Sequence, residues 1–161
     1  MDTTLLRQLN EDIWHPFRLA YANLDAPAFL GLHAPELIRA GGQAQQVFGF
    51  EEYSDQTTKW FAELAGRGSR VAISFRFVER IAAKDIASER GIFQILSKRA
   101  NGDERTFYGR FHTYARPTGG RWRICVDYDT DERSATLEEE FLAAADVDDV
   151  EAFSAQDVTK P

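Results

Sequence analysis

Glu79 and Arg90 are charged side chains at corresponding places on two neighbouring predicted strands. Centring the connecting turn on Lys84-Asp85 places them opposite each other, on the face that we expect to turn toward the core. A carboxylate there could act as a general base, while the guanidinium could orient an anionic or carbonyl group. The structural alternative is a cross-strand ion pair that closes one end of the sheet, and both interpretations stay open.

Further polar residues fall on the same predicted face. Thr113, Gln94 and Tyr128 lie among apolar neighbours there, and the same turn-centring argument places Tyr128 over Gly109. A glycine under an aromatic ring is common sheet packing, but it also leaves space for a ligand. His33 lies near the start of a short predicted strand, where a ligand contact and a helix-end partner are both open.

An acidic stretch has part of the spacing of a calcium loop. Asp127, Asp129, Asp131 and Glu138 take its first, third, fifth and twelfth places. Glu132 stands at the sixth place, where the sharp turn of that loop requires glycine, and the preceding element is a predicted strand rather than a helix. The three histidines and one cysteine are scattered. We therefore expect no metal site and no cofactor.

Four long strands must position these side chains. Apolar and aromatic residues alternate with polar ones, which indicates half-buried strands. Asn101-Gly102 is typical of a two-residue type I′ hairpin turn, and Pro117–Gly120 predicts another turn. The strands are predicted at Val71 to Arg80, Ala87 to Arg99, Thr106 to Arg116 and Arg121 to Asp129.

Helices are predicted on both sides of this stretch. Apolar residues recur every three or four positions up to about Asn23, in a helix capped by Thr3 or Thr4 and bent near Asp12 by Pro16. Further helices are expected at 26–31, capped by Asp25, at 54–65, and at 135–145, capped by Ser134. A short strand is expected at 37–40.

Composition limits the class of protein. A chain of 161 residues with 43% hydrophobic residues suits one globular domain, here residues 1–145, followed by an acidic tail at 146–161. The net charge of −7 comes from residues 131–161, since residues 1–130 hold sixteen acids and seventeen bases. We therefore expect no nucleic-acid partner. There is no apolar run long enough for a membrane span, no signal peptide, and a single cysteine, which predicts a cytoplasmic protein.

The order of elements and several local motifs resemble a known superfamily. The motifs are Leu9-Asn10…Trp14-His-Pro-Phe17…Ala20-Tyr21, Asp25…Phe29…Leu32-His33-Ala-Pro35, Ala87-Ser-Glu-Arg-Gly91, Tyr108-Gly-Arg-Phe-His112 and Gly120-Arg-Trp-Arg-Ile124…Asp127-Tyr-Asp129. They resemble the SnoaL-like and ketosteroid isomerase-like branch of the nuclear transport factor 2-like superfamily. The resemblance implies an α+β fold, a cone formed by a curved antiparallel sheet around N-terminal helices, with a pocket between them.

The resemblance implies less about chemistry than about the fold, because one fold hosts many functions. The isomerase branch uses a tyrosine on the first helix, an aspartate base and a second acid on a strand. Tyr21 can stand for the tyrosine. No aspartate lies on the predicted inner face, so Glu79 is the nearest substitute for the base. We expect a pocket for a small apolar or carbonyl-bearing ligand, lined by Trp14, Phe17, Tyr21, Trp60, Phe75, Arg90, Gln94 and Tyr128.

The alternative function is an interaction module with a filled cone. On either hypothesis we expect a homodimer through the outer face of the sheet, because that face is predicted to be apolar. Its members are Val78, Phe93, Ile95, Tyr108, Tyr114 and Cys125. The competing account is that the segment from Asp146 folds back over this patch, with Phe153 packed on it.

Overall fold

The computed structural model describes residues 2–132 and 135–154. Within those ranges the chain forms five α-helices and one seven-stranded sheet. The helices are α1 Thr3–Leu9, α2 His15–Ala22, α3 Ala26–Leu30, α4 Phe50–Gly66 and α5 Leu137–Ala143. The strands are β1 His33–Gly41, β2 Gln46–Phe48, β3 Arg70–Ala82, β4 Ala87–Lys98, β5 Glu104–Thr118, β6 Arg121–Asp129 and β7 Ala145–Asp146.

The first helical region departs from α-helical geometry near the place where a bend is predicted. A π-helical turn, Asn10–Trp14, joins α1 to α2. Pro16 lies at the start of α2, and because proline has no backbone N–H it cannot continue the ordinary α-helical ladder. Asp2, rather than Thr3 or Thr4, caps α1 by accepting from the Thr4 N–H. Asp25 caps α3, as expected.

The curved sheet has the order β2-β1-β6-β5-β4-β3-β7. The pair β1–β6 is parallel, and the four long strands β3 to β6 are antiparallel neighbours in chain order. The predicted α+β class and the predicted strands are confirmed. The short strand predicted at 37–40 is longer than expected, since β1 begins at His33.

The predicted register of β4 against β5 is wrong by one residue. A two-residue type I′ turn needs positive φ at both central residues, but in this turn only Gly102 has it. The loop instead spans Ala100 to Gly102, and Arg99 donates to the Asp103 carbonyl. The one-residue slip moves Arg90 and Gln94 to the outer face, because successive side chains alternate between faces.

Two β-bulges then reverse the faces of β3 and β6. Val78 is an extra residue between the pairs Phe77↔Gly91 and Glu79↔Arg90. Cys125 is an extra residue opposite the step from Tyr114 to Ala115. Beyond a bulge the inward and outward positions exchange. The predicted inward positions of Glu79 and Tyr128 are therefore wrong.

The C-terminal region covers part of the outer face. Leu137 and Phe141 of α5 pack on Ile92 and Tyr108, and β7 pairs with β3 at the edge of the sheet. Val147 and Val150 belong to the main core, so the packed part of the chain continues beyond residue 145. Phe153 also packs against that core rather than on the outer patch. The predicted cap Ser134 and the tail beyond Ser154 lie outside the described residues.

Among the described residues, no helix combines the length and the apolar character that a bilayer crossing requires.

Candidate functional site

A cavity of about 300 Å³ lies between the N-terminal helices, α4 and the inner face of the sheet. Its walls are mainly apolar, as is usual for small-molecule sites, and its volume is at the lower end of their range. Phe93 of β4 reaches the cavity because Gly109 lies opposite it. A Cβ at Gly109 would come within 2.3 Å of the Phe93 ring. Ten aromatic side chains line the space: Trp14, Phe17, Tyr21, Phe29, Tyr53, Trp60, Phe61, Phe75, Phe93 and Phe111.

Three charged residues form the polar end of the cavity. The Arg39 guanidinium donates from Nη2 to Asp129 Oδ2 at 2.8 Å, and its Nε lies 3.7 Å from Asp127 Oδ2. Arg39 Nη1 donates to the Ala40 carbonyl. The backbone N–H of Gly42 donates to Asp129 Oδ1 at 2.8 Å. Asp129 is thus held by two donors, and Arg39 is held against both acids.

Parallel pairing of β1 with β6 brings these residues together. Arg39 pairs with Asp127, and Gly41 pairs with Asp129. Gly41 has a φ of +108°, and a Cβ there would lie 1.9 Å from the Asp129 carbonyl oxygen. Glycine is needed at this close approach of two backbones. The bulge at Cys125 is also needed, because it turns Asp127 and Asp129 inward.

Asp127 differs from Asp129 in its hydrogen bonding. Its carboxylate accepts no hydrogen bond from any residue within the described ranges. Burial raises the pKa of Asp127, and the neighbouring Arg39 opposes that rise only in part. Burial also raises the pKa of Asp129, against the effect of Arg39. A buried carboxyl group with raised pKa and free oxygens can take up or give back a proton.

Two tyrosines face this polar end. Burial raises the pKa of Tyr21 on α2, and nearby Tyr53 and Asp129 raise it further. Burial also raises the pKa of Tyr53 on α4, and the Arg39 guanidinium lies 5.6 Å from the centre of its ring. Both hydroxyl groups therefore stay protonated at neutral pH, and a protonated hydroxyl can donate to a ligand oxygen.

His33 lies behind the cavity wall rather than in it. Its Nδ1 donates to the Phe29 carbonyl at 3.0 Å, and its ring packs against Phe29 and Tyr53. Burial lowers the pKa of His33 to about 4, so the ring is neutral at neutral pH. The structure therefore places His33 as a helix-end partner of α3, the alternative that the sequence left open.

The structure brings half of the sequence-predicted residues to the cavity. Five of the ten line it: Trp14, Phe17, Tyr21, Trp60 and Phe75. Glu79 and Arg90 do form the predicted cross-strand pair, at 3.0 Å, but both side chains are exposed to about half. Gln94 donates to the Tyr108 hydroxyl on the outer face, and Tyr128 is exposed on that face too.

Sequence reasoning missed the three charged residues of the cavity. Simple alternation continued from Trp122 and Ile124, which do face inward, predicts outward positions for Asp127 and Asp129. Arg39 lies within the short strand expected at 37–40, and its spacing does not mark it as a site residue. The available signal was the alternating pair of acids at the end of β6, two residues apart and therefore on one face.

Comparisons with known proteins support the fold. No protein-family model matches the sequence. A search of curated proteins finds no match. A conserved protein from Planctomyces limnophilus is similar in structure, with a TM-score of 0.68 and 16% identity over 80% of this chain and 97% of that one.

Two further solved structures carry a family description. A nuclear transport factor 2-like protein of unknown function from Pseudomonas putida has a TM-score of 0.64 and 14% identity, over 87% of this chain and 94% of that one. A ketosteroid isomerase-like protein from Erwinia carotovora has a TM-score of 0.59 and 14% identity, over 80% of this chain and 97% of that one. The chain has the pocket-bearing nuclear transport factor 2-like fold. Its place in the SnoaL-like branch stays a prediction.

Proposed function

We propose that this protein binds a small, mainly apolar ligand in the aromatic cavity and transfers a proton through Asp127, as an isomerase or lyase does. The observation that supports this is a buried carboxyl group facing the cavity without a hydrogen-bond donor from the described residues. An unpaired polar group of this kind is costly in a structure and is common where a ligand completes the pairing. The open cavity favours this function over the filled interaction module.

The roles follow from the surroundings of each group. Asp127 is the proton acceptor and donor, while Asp129 and Arg39 hold each other and set the local charge. Tyr21, and Tyr53 beside Arg39, would donate to a carbonyl or hydroxyl oxygen of the ligand. This arrangement replaces the pair Glu79 and Arg90 that the sequence suggested. The tyrosine on the first helical region and an acid on a strand match the isomerase-like pattern that the resemblance implied.

The first experiment tests whether the cavity takes a ligand. Acetophenone, a small aromatic ketone, is titrated and its binding is followed by saturation-transfer NMR. We expect binding that is lost in Ile95→Trp, because an indole at this cavity-lining position fills the space. Ile81→Trp, on the exposed outer face, is the matched control and should bind as the unmutated chain does. Equal signals in all three proteins would reject the cavity as the site.

The second experiment tests proton transfer. In deuterated water, a base at Asp127 should speed deuterium incorporation at the methyl carbon of acetophenone, measured by mass spectrometry. Asp127→Asn should abolish the protein-dependent rate, whereas Glu79→Gln should leave it unchanged, since Glu79 lies outside the cavity. Binding without any protein-dependent incorporation would reject catalysis on this class of ketone and leave a binding protein.

A homodimer remains our proposal for the partner. Phe93 and Ile95 turned out to face the cavity, but one cross-strand row on the outer face is still apolar over most of its length. Ile81 begins it, and it continues through Ser88, Tyr114 and Val126 to Ile38. Both isoleucines at its ends are more than half exposed. An exposed apolar row of this length favours a self-complementary contact.

Light scattering tests the dimer. We expect about twice the monomer mass of 18.3 kDa, and we expect Tyr114→Glu to halve it, because an unpaired charge would be buried at the contact. Leu19→Glu, at an exposed position on α2, is the control. A monomeric mass for the unmutated chain at micromolar concentration would reject the dimer. The single cysteine, Cys125, is consistent with our proposal that the protein works in the cytoplasm.

A further inference from the structure

The charges at the polar end of the cavity do not balance. Among the lining residues that the structure describes, Arg39 is the cation and Asp127 and Asp129 are the anions. Their formal charges sum to −1 when both acids are ionised. The remaining lining residues are neutral, so the cavity offers a bound molecule a negative rather than a positive environment.

All three nitrogens of the Arg39 guanidinium already lie against groups of the protein. Its Nη2 is bound to Asp129 and its Nη1 to the Ala40 carbonyl. Its Nε is buried and lies toward Asp127. The edge of the guanidinium that carries Nε and Nη2, with which arginine binds a ligand carboxylate or phosphate at two points, therefore already faces the two acids. An anionic ligand would meet the two acids without gaining an ion pair of its own.

A cationic ligand, in contrast, would find partners in the cavity. Asp127 has free acceptor oxygens, and ten aromatic side chains line the walls; the face of an aromatic ring attracts cations. We propose that the ligand is a small organic amine, bound as its ammonium ion, which donates to Asp127 while its apolar body lies among the aromatic rings. This inference rests on the proposed function and names the chemical class of its ligand.

A neutral carbonyl ligand makes a different prediction about pH. Its oxygen accepts from the tyrosine hydroxyl groups, which stay protonated at neutral pH, so its binding should not strengthen as pH rises through the raised pKa of Asp127. An ammonium ion needs Asp127 ionised, so its binding strengthens as pH rises through the raised pKa of that acid. The charged and titratable groups facing Asp127 are Arg39 on β1, Asp129 on β6 and Tyr53 on α4, with Tyr21 on α2 beside Tyr53 and Asp129.

The experiment compares three probes that share one phenyl ring. Benzylamine carries a positive charge, acetophenone is neutral and benzoate is negative. Dissociation constants are measured by saturation-transfer NMR on the full chain, from acid to neutral pH. We expect benzylamine to bind about tenfold more tightly than acetophenone at neutral pH, as one charge-assisted hydrogen bond allows. Benzoate should bind more weakly than either. Affinity for benzylamine should rise with pH.

Variants separate this inference from the proposed function. Asp127→Asn should weaken benzylamine about tenfold and remove its pH dependence, while acetophenone keeps its affinity. Glu79→Gln, which removes the same charge from the exposed surface, should change neither. If acetophenone binds at least as tightly as benzylamine, or if affinity for benzylamine falls as pH rises, the ligand is not a cation, although the cavity still binds ligands. If none of the three probes binds at the cavity, the proposed function fails as well.

Discussion

Two arginines, Arg80 and Arg39, each pair with carboxylates inside this protein, but only one of the two clusters is complete. Arg80 Nε donates to Glu89 at 2.7 Å, Nη2 to Asn10 and Nη1 to the Val147 carbonyl. The second Glu89 oxygen accepts from Trp14 Nε1 at 2.9 Å. Every polar atom of that ion pair has a partner. At Arg39, by contrast, Nε has none within the described residues and Asp127 accepts no hydrogen bond.

The difference teaches what each cluster is for. The Arg80 cluster ties the π-helical turn at Asn10–Trp14 to β3, β4 and the segment after β7, so it joins parts of the chain that are distant in sequence. Since its groups are satisfied, removing one leaves another buried and unpaired. The Arg39 cluster keeps an unsatisfied acid against an open cavity. A ligand, rather than another part of the protein, can complete it.

The largest effect on stability should come from the complete cluster. Arg80→Met keeps much of the side-chain volume but leaves Glu89 buried without its cation. We expect the free energy of unfolding to fall by about 3–5 kcal/mol, as for other buried ion pairs from which one partner is removed. Urea unfolding measures it. A loss no larger than that of Arg90→Met, on the exposed surface, would show that the two environments do not differ.

The next effect comes from the hydrogen bond that links this cluster to the cavity wall. Trp14→Phe keeps an aromatic ring but removes the N–H that donates to Glu89. A buried charged oxygen that loses its donor costs about 1–3 kcal/mol, so the midpoint of urea unfolding should fall. Trp122→Phe is the control, since it changes a buried indole elsewhere in the same core. Equal losses in the two variants would mean that only ring volume matters.

At the incomplete cluster around Arg39, the change in the free energy of unfolding should have the opposite sign. Asp127→Asn removes a buried, poorly compensated charge while keeping the shape of the side chain. We expect the free energy of unfolding at neutral pH to stay equal or to rise by up to about 1 kcal/mol, as substitutions that relieve functional sites often do. Benzylamine binding, in contrast, should fall. A clear loss of stability would assign Asp127 to the structure rather than to the ligand.

The difference in stability between the unmutated chain and Asp127→Asn should also depend on pH, with a sign that the raised pKa of Asp127 sets. The folded-state pKa of Asp127 is raised above its ordinary value of 3.8, so the folded protein holds this proton more tightly than the unfolded chain. The stability that this proton contributes is fully present below pH 3.8 and is lost as pH rises through the raised pKa. The unmutated chain should therefore lose stability relative to Asp127→Asn over that range, in urea unfolding at a series of pH values. A constant difference would contradict the raised pKa.

The smallest effect should come from the pair that the sequence singled out. Glu79→Gln breaks its contact with Arg90, but both side chains are about half exposed to water. Exposed pairs of this kind contribute at most about 0.5–1 kcal/mol, so the midpoint of unfolding should barely move. A shift comparable to that of Arg80→Met would mean that this pair is buried in solution, as it would be inside a dimer contact.

The N-terminal helices and the four long strands could be predicted because they depend on local pattern. Period-two alternation identified β3 to β6, and three- to four-residue periodicity identified the helix that supplies Trp14, Phe17 and Tyr21. Three of the ten cavity aromatic residues follow from that periodicity, since a helix with one apolar face must turn it toward the sheet. The register of Glu79 against Arg90 and of Arg80 against Glu89 was also right, because the turn at Lys84-Asp85 is centred as expected.

Which face each acid occupies was decided only by the tertiary structure. A bulge costs little locally, and it forms where the twist of the sheet and the packing of its neighbours favour one extra residue. At Val78 it exchanges Glu79 for Arg80 as the inward residue, and at Cys125 it turns Asp127 and Asp129 into the cavity. Period-two alternation by itself carries no information about such an exchange. The sequence therefore determined the long strands, the helices and part of the aromatic wall, while long-range packing of the sheet determined the charged end of the site and the inward position of Phe93.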